Sequence, residues 1–287
     1  MRSFAAGTAT ALAVSSCFRS QFMADTQKRK VSAFSQTEYR PYKLLNVQTE
    51  SHDTKIFSFG LPEKSMPVGL LPESCITLRY FDSKGEEVMR PYTPLNLATD
   101  KGSFDIVVKC YPNSKMGTYL HNMKKGTMIE AQGPWSVMEV KPSQYAHIGM
   151  LVGGTGVAPA YQVFRNILAD PTNKTKFTLF YCNKAEKDIL LRDRLEAIAR
   201  EKPDHFTVCH MLAETPAGWT GYKGHITKDI IKEKMPSPDL KGNALVMVSG
   251  PPGFMKVVCG EKDGREQGPL GGFLKELGYS SEMVHKF

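Results

Sequence analysis

The sequence has no C-x-x-C pair and no H-E-x-x-H, and its six cysteines (Cys17, Cys75, Cys110, Cys182, Cys209 and Cys259) lie far apart along 287 residues. Zinc sites and iron–sulfur ligand sets need close spacing, so their absence speaks against both, and no metal site is expected. The cysteines read instead as reduced thiols packed as small hydrophobes. Long apolar runs are missing too. The stretch from Phe4 to Phe18 is broken by Thr8, Thr10, Ser15 and Ser16, short of the ~20 residues a spanning helix needs. Nor is there a dense basic face. The formal charge is +8, but residues 1–35 carry five Lys/Arg against Asp25 alone, which leaves only +4 for the rest. Nucleic-acid binding is not expected from so mild a balance, whereas an acidic partner suits it.

What is present begins with 41% apolar residues at a mean hydropathy of −0.30, fitting a soluble chain with real cores and a length that points to two domains. Residues 1–24 contain Arg2 and Arg19, many Ala, Ser and Thr, and no acid, the composition of an organelle transit peptide. A mitochondrial address is therefore expected (outer membrane or intermembrane space), with a weak N-terminal membrane anchor at another endomembrane surface, a secretory signal or a plain tail as alternatives. Gln27–Gln36 reads as a linker, so residues 1–35 stand apart from the body.

Between residues 36 and 143 the pattern is strand-like, with segments at Tyr42–Glu50, Ile56–Leu61, Cys75–Phe81, Phe104–Tyr111 and Met128–Gln132, separated by turn formers. Short strands at this spacing predict an antiparallel barrel, interrupted by a helix near Met116–Met123. From 144 to 287 apolar runs alternate with helical periods. Strands are expected at Tyr145–Val152, Phe177–Cys182, Phe206–Leu212 and Ala244–Ser249, and helices at Ala158–Ala169, Lys187–Arg200, Thr227–Lys234 and Pro269–Leu277. That alternation predicts an α/β domain with a parallel sheet.

Three motifs in fixed order carry the chemistry: Arg90-Pro91-Tyr92-Thr93, Gly153-Gly154-Thr155-Gly156-Val157-Ala158-Pro159 and Ser249-Gly250-Pro251-Pro252-Gly253-Phe254-Met255. A guanidinium can grip a pyrophosphate with two parallel bonds, while Tyr92 and Thr93 supply hydroxyls and a flat wall. A glycine turn between a strand and a helix offers backbone N–H groups to phosphates. The turn at Gly153 is not the G-x-G-x-x-G fingerprint, because Pro159 stands where a third glycine would fall. The Ser249 turn also ends a strand, with Pro252 suited to a first helical position, so both turns can line one crevice at the carboxyl ends of a parallel sheet. Lys109 and the segment Lys115-Met116-Gly117-Thr118 add cations and an anion-accepting helix start. Each motif alone also fits a purely structural turn, edge strand or solvated lysine.

These motifs resemble the NADH-cytochrome b5 reductase family of the ferredoxin-NADP reductase superfamily, and the likeness covers residues 39–287. Ser51-His52-Asp53-Thr54, Gly133-Pro134, Asn183–Arg194 and the tail from Leu277 to Phe287 share it, and the tail and Asp263–Gly268 are most similar to fungal mitochondrial forms. The resemblance implies a six-stranded FAD-binding barrel, a C-terminal NADH domain with the flavin between them, and single-electron transfer to cytochrome b5 or a similar acidic haem protein by a monomer. It places Arg90, Pro91, Tyr92, Thr93, Val107, Lys109, Tyr111, Lys115, Met116, Gly117 and Thr118 at FAD. It places Gly153, Gly154, Thr155, Gly156, Pro159, Gly250, Pro251, Pro252, Met255 and Phe287 at the nucleotide site, with Thr93, Lys109, His52 and Ser249 nearest the chemistry. Three departures stand out. Ser249 replaces a customary Cys, Gly117 replaces a Ser, and Thr220 follows Trp219 where animal members carry an acid. Rival readings are a reductase component feeding an oxygenase or nitrate reductase, a flavin-binding subunit that never turns over, and a basic nucleic-acid adaptor.

Overall fold

A computed structural model describes residues 32–136 and 138–287, so the targeting expectation for the N-terminal segment lies outside the described residues. The first sheet contains β1 (Arg40–Thr49), β2 (Thr54–Gly60), β3 (Ser74–Phe81), β4 (Glu87–Tyr92), β5 (Ser103–Lys109) and β6 (Met128–Ser136). Its order is β4-β3-β6-β1-β2-β5, and every ladder is antiparallel. Side chains alternate along β3 between buried Ser74, Ile76 and Leu78 and partly exposed neighbours, as a sheet with one face on a core requires. Rings fill that core: Phe34, Tyr42 and Phe59 each pack on Phe104 at 5.1–5.5 Å between centroids.

The sequence pattern gave five strands here, and β4 is the sixth. It was hidden because Pro91 removes a ladder donor; the structure accommodates this by placing β4 at the end of the sheet, where it pairs with β3 alone (Pro91 opposite Thr77). Helix α1 (Lys115–Asn122) follows β5, and the Ser114 hydroxyl caps it by accepting from Gly117 N–H at 3.0 Å.

The second sheet is parallel throughout, in the order β10-β9-β8-β7-β11-β12. Its strands are β7 (His147–Gly153), β8 (Lys176–Asn183), β9 (Phe206–Leu212), β10 (Tyr222–Lys223), β11 (Ala244–Ser249) and β12 (Val284–Lys286). All six residues of β11 are buried, because helices cover both faces. These helices are α2 (Val157–Leu168), α3 (Arg192–Glu201), α4 (Lys228–Lys234), α5 (Pro252–Val258) and α6 (Gly272–Glu276). The expected helix at Lys187–Arg200 is in fact two pieces, a 3-10 turn at Glu186–Asp188 and α3, separated by Leu191 at φ 56°. The expected helix at Pro269–Leu277 shrinks to α6, which starts after Gly271. The short β10 and β12 carry too few residues to show a period and escaped the sequence pattern. Cys75, Cys110, Cys182, Cys209 and Cys259 are all free thiols. Among the described residues no helix is long and apolar enough to cross a membrane.

Residues 34–287 form one compact unit. One apolar cluster joins Ile56, Leu95 and Val107 of the first sheet region to Val157, Tyr161 and Phe164 of α2, so the two sheets share a core where α2 lies.

Candidate active site

The two glycine turns leave neighbouring strands, since Ser249 of β11 stands opposite Val152 of β7. They abut closely. A Cβ on Gly156 would lie 2.6 Å from Ser249 O and 2.7 Å from Ser249 Oγ, and one on Gly250 would lie 3.3 Å from Gly153 N. Neither position admits a side chain. Gly154 is different: it sits at φ 54° with open space around its Cβ position, so a ligand can come up to its backbone. The carbonyl of Gly154 accepts from Tyr181 Oη at 2.9 Å, and that oxygen accepts from Leu190 N–H at 3.2 Å. Burial pushes the Tyr181 hydroxyl pKa far up, so it remains a donor.

Facing these turns is the end of β5. Tyr111 Oη lies 3.3 Å from Thr155 Oγ1, so the first sheet touches the glycine turn directly. Thr93 lies just past β4, and the next residue, Pro94, accepts from Gln162 Nε2 of α2 at 3.1 Å. The segment after Thr93 is thus tied to α2, the helix whose glycine turn abuts Ser249 and Gly250. Arg90 is exposed; its Nη1 donates to Met89 O at 2.7 Å, and among the described residues no carboxylate pairs with it. Arg79 on the adjacent strand differs, holding Glu87 and Glu130 at 3.0 and 2.8 Å. An unneutralised guanidinium fits an external pyrophosphate. Burial pushes Tyr92 up to about 12, with Arg90 pulling it down, so its phenol is neutral at physiological pH.

Lys115 does not supply the free cation expected of it. Its ammonium binds Glu86 at 2.9 Å and Asp82 at 3.3 Å in the turn between β3 and β4, leaving the α1 backbone to meet an anion. The hydroxyl missing at Gly117 has a neighbour instead, because Ser114 Oγ lies 2.8 Å from where a Cβ at 117 would be. A depression of about 660 Å³ beside α1 is lined by Tyr80, Ser114, Lys115, Thr118 and Tyr119.

Lys109 is paired as well. Its ammonium lies 3.0 Å from Asp53 and 3.1 Å from Asp188, and His52 Nε2 is 3.4 and 3.9 Å from the same two carboxylates. Burial opposes the Lys109 charge, but its bonds to Asp53 and Asp188 outweigh that and raise its pKa. Burial likewise disfavours the Asp53 anion, yet Lys109, Thr54 and Ser51 together hold its pKa below the ordinary value. The reading of Lys109 as a cation reserved for the cofactor therefore changes to a bridge between the β1–β2 turn and the Glu186–Asp188 turn. Asp53 and Asp188 were not singled out in the sequence, although both lie inside stretches that were.

Some expected site residues sit in the core. Met116 and Met255 are buried, Met255 on α5 in the cluster that includes β11, and Val107 lies in the shared apolar cluster, so these side chains face the core. Phe287 packs against that same cluster, and its N–H donates to Val248 O at 3.0 Å, next to the Ser249 turn. Pro91, Thr118, Pro251 and Pro252 are exposed, and Pro159 is half-buried in the first turn of α2.

The comparisons agree with this division. Residues 41–140 match the model for the oxidoreductase FAD-binding domain, and residues 150–260 match that for the oxidoreductase NAD-binding domain. The chain is 37% identical over 261 residues to NADH-cytochrome b5 reductase 2 of Mycosarcoma maydis, covering 89% of this chain and 74% of that one. It is 36% identical over 284 residues to the protein of the same name from Yarrowia lipolytica, covering 99% and 97%. Among solved structures, the cytochrome b5 reductase domain of Ulva prolifera nitrate reductase superposes at a TM-score of 0.80 with 26% identity, over 90% of this chain and all of that one. With both cofactor-binding domains matched and relatives aligned over most of their length, the chain belongs to the NADH-cytochrome b5 reductase family.

Proposed function

We propose that this chain is an FAD-dependent oxidoreductase that takes hydride from NADH and passes single electrons to cytochrome b5 or a similar haem protein. The observation that carries the reading is the abutment of the Gly153 and Ser249 turns with Tyr111 and the Thr93 segment beside them. Bound FAD supplies the conversion of a two-electron hydride into single electrons. Arg90 and the α1 N-terminus hold its pyrophosphate, and neutral Tyr92 offers a hydroxyl without adding charge. Gly153, Gly154 and Gly156 let a nicotinamide nucleotide approach the backbone. Ser249, buried against Gly156, gives this site a hydroxyl where a thiol is customary, so no thiol is needed for hydride transfer. A mild excess of basic charge outside residues 1–35 favours encounter with an acidic haem protein.

Anaerobic titration of the yellow protein tests the reading. NADH should bleach the flavin absorbance at one equivalent, NADPH should do so less readily, and cytochrome b5 added last should be reduced at a rate that falls with salt. Flavin that stays oxidised in excess NADH would leave only a binding role.

For the N-terminal segment, the acid-free composition of residues 1–24 supports mitochondrial targeting with association at a membrane surface. A fluorescent protein carrying residues 1–35 should collect at mitochondria; a diffuse signal would defeat the idea.

A further inference from the structure

Outside the crevice, a buried acid and a buried imidazole meet across the two halves of the molecule. Glu73 precedes β3, His285 is the middle residue of β12, and their side chains are 1% and 9% exposed with Oε1 and Nε2 2.9 Å apart. Neither Glu73 oxygen has an aligned hydrogen-bond donor among the described residues, and the imidazole at 2.9 Å is the side chain it meets. Lys262 and Tyr145 lie within electrostatic reach of the Glu73 carboxyl, and Cys75 within reach of Lys262. Burial pushes the Glu73 carboxyl up, and His285 and Lys262 pull it back. Glu73 also adopts φ 67°, a left-handed conformation that strains any residue with a Cβ. A glycine would be free of that strain, so the acid is present despite its backbone.

The contact continues to the crevice. The rings of His285 and Phe287 meet edge to face at 5.4 Å and 89°, and Phe287 lies beside the Ser249 turn on the shared apolar cluster. We propose that Glu73 is a positioning residue for hydride transfer: by holding His285 it sets the ring of Phe287 at the crevice between the flavin and nucleotide domains. This rests on the oxidoreductase reading above. The rest of the strand is tied down independently. Lys286 Nζ donates to Glu261 O and Pro269 O at 3.0 and 2.8 Å, and Gln267 bonds both the Lys286 N–H and its carbonyl at 2.6 and 2.9 Å. On the other side, Gln162 of α2 holds Ser74, the neighbour of Glu73, through both its N–H and its carbonyl. Losing the Glu73–His285 contact therefore loosens an alignment without unmaking either element.

Glu73→Gly suits the backbone and removes the acid together with its two buried methylenes. In E73G, flavin content should match that of the wild type and the protein should still unfold in one cooperative step. Amide hydrogen exchange should rise in residues 284–287 of the flavin-free protein while residues 244–249 are unchanged. In the loaded enzyme the first-order rate of flavin reduction by NADH should fall about tenfold, the scale of a small misalignment of reacting groups, with little change in KM for NADH. If Glu73 works through His285, E73G should make no further difference in an H285F background, where an aromatic ring still meets Phe287. Wild-type exchange and wild-type reduction rate in E73G would overturn the proposal, and so would an equal slowing in both backgrounds. A wild-type protein that NADH does not reduce would instead defeat the functional reading, while the exchange measurement would still decide whether Glu73 holds the strand.

Discussion

The two sheets are joined along two seams of opposite chemistry. Along α2 the bonds are made mainly by neutral amides to backbone groups, and Arg165 alone adds a carboxylate partner, Asp100 at 3.5 Å. Gln162, fully buried, serves Ser74 N–H, Ser74 O and Pro94 O, while Arg165 donates to Leu95 O and Asn166 accepts from Ala98 N–H. At the rim of the crevice the join is made by charges: Lys109 lies between Asp53 and Asp188, and Glu50 accepts from Leu191 N–H. The first seam places the segment after Arg90-Pro91-Tyr92-Thr93 against the helix that starts at the glycine turn. The bonds of Gln162, neutral and shielded from water, hold that register with little dependence on pH or salt, and the partly exposed Arg165–Asp100 pair at 3.5 Å adds little to them. The rim is partly exposed, so water and ions weaken it. The molecule is therefore fixed behind the crevice and adjustable at its mouth.

The largest effect that separates the two seams should come from Gln162→Leu. The change keeps bulk and leaves Ser74 N–H its bond to Leu71 O at 3.1 Å, but it takes the amide donor from the carbonyls of Ser74 and Pro94, at about 1–3 kcal/mol for each buried group left unpaired. A loss of about 3 kcal/mol is expected, or roughly 6–12 °C in Tm for a body of this size, and it should be the same in dilute and concentrated salt. A drop below about 1 kcal/mol in a denaturant titration would mean that the register is held elsewhere.

Gln162 shows where the sequence stops being readable. A glutamine within a helical period looks like a solvated face, and only the packing of α2 against two loops of the other sheet makes it a buried clamp. Glu73 and His285 are hidden in the same way, 212 positions apart in the chain. The glycine turns and the Arg90 segment were legible because their chemistry is local: strand, turn and helix start lie within a few residues of one another. Strand β9 could be placed to the residue from its apolar run, but the break at Leu191 could not, because a leucine at φ 56° leaves no mark in composition. Lys115 misled for a local reason, since the hairpin between β3 and β4 folds back to bring Asp82 and Glu86 to its ammonium.

A smaller effect, and a sharper contrast, is expected of Lys109→Met. The Lys109 side chain is 20% exposed, and screening limits the worth of its pairs to the order of 1 kcal/mol. Removing it leaves Asp53 and Asp188 close together, so the loss should grow in dilute salt and shrink at 1 M. The pH window follows from the two shifts. Asp53 has a lowered pKa, so its contribution is present above the unfolded value of about 3.9 and disappears as pH falls through the lower folded value. Lys109 has a raised pKa, so its contribution is present below about 10.4 and disappears as pH rises through the higher folded value. Between roughly pH 5 and 9 the gap in Tm between wild type and K109M should be flat, and it should close toward acid as Asp53 takes up its proton. Q162L measured alongside should keep its own gap through the same acid and salt series. If K109M proved equally indifferent to salt, the mouth of the crevice would be no softer than the seam behind it, and entry of the nucleotide would have to be explained without a yielding rim.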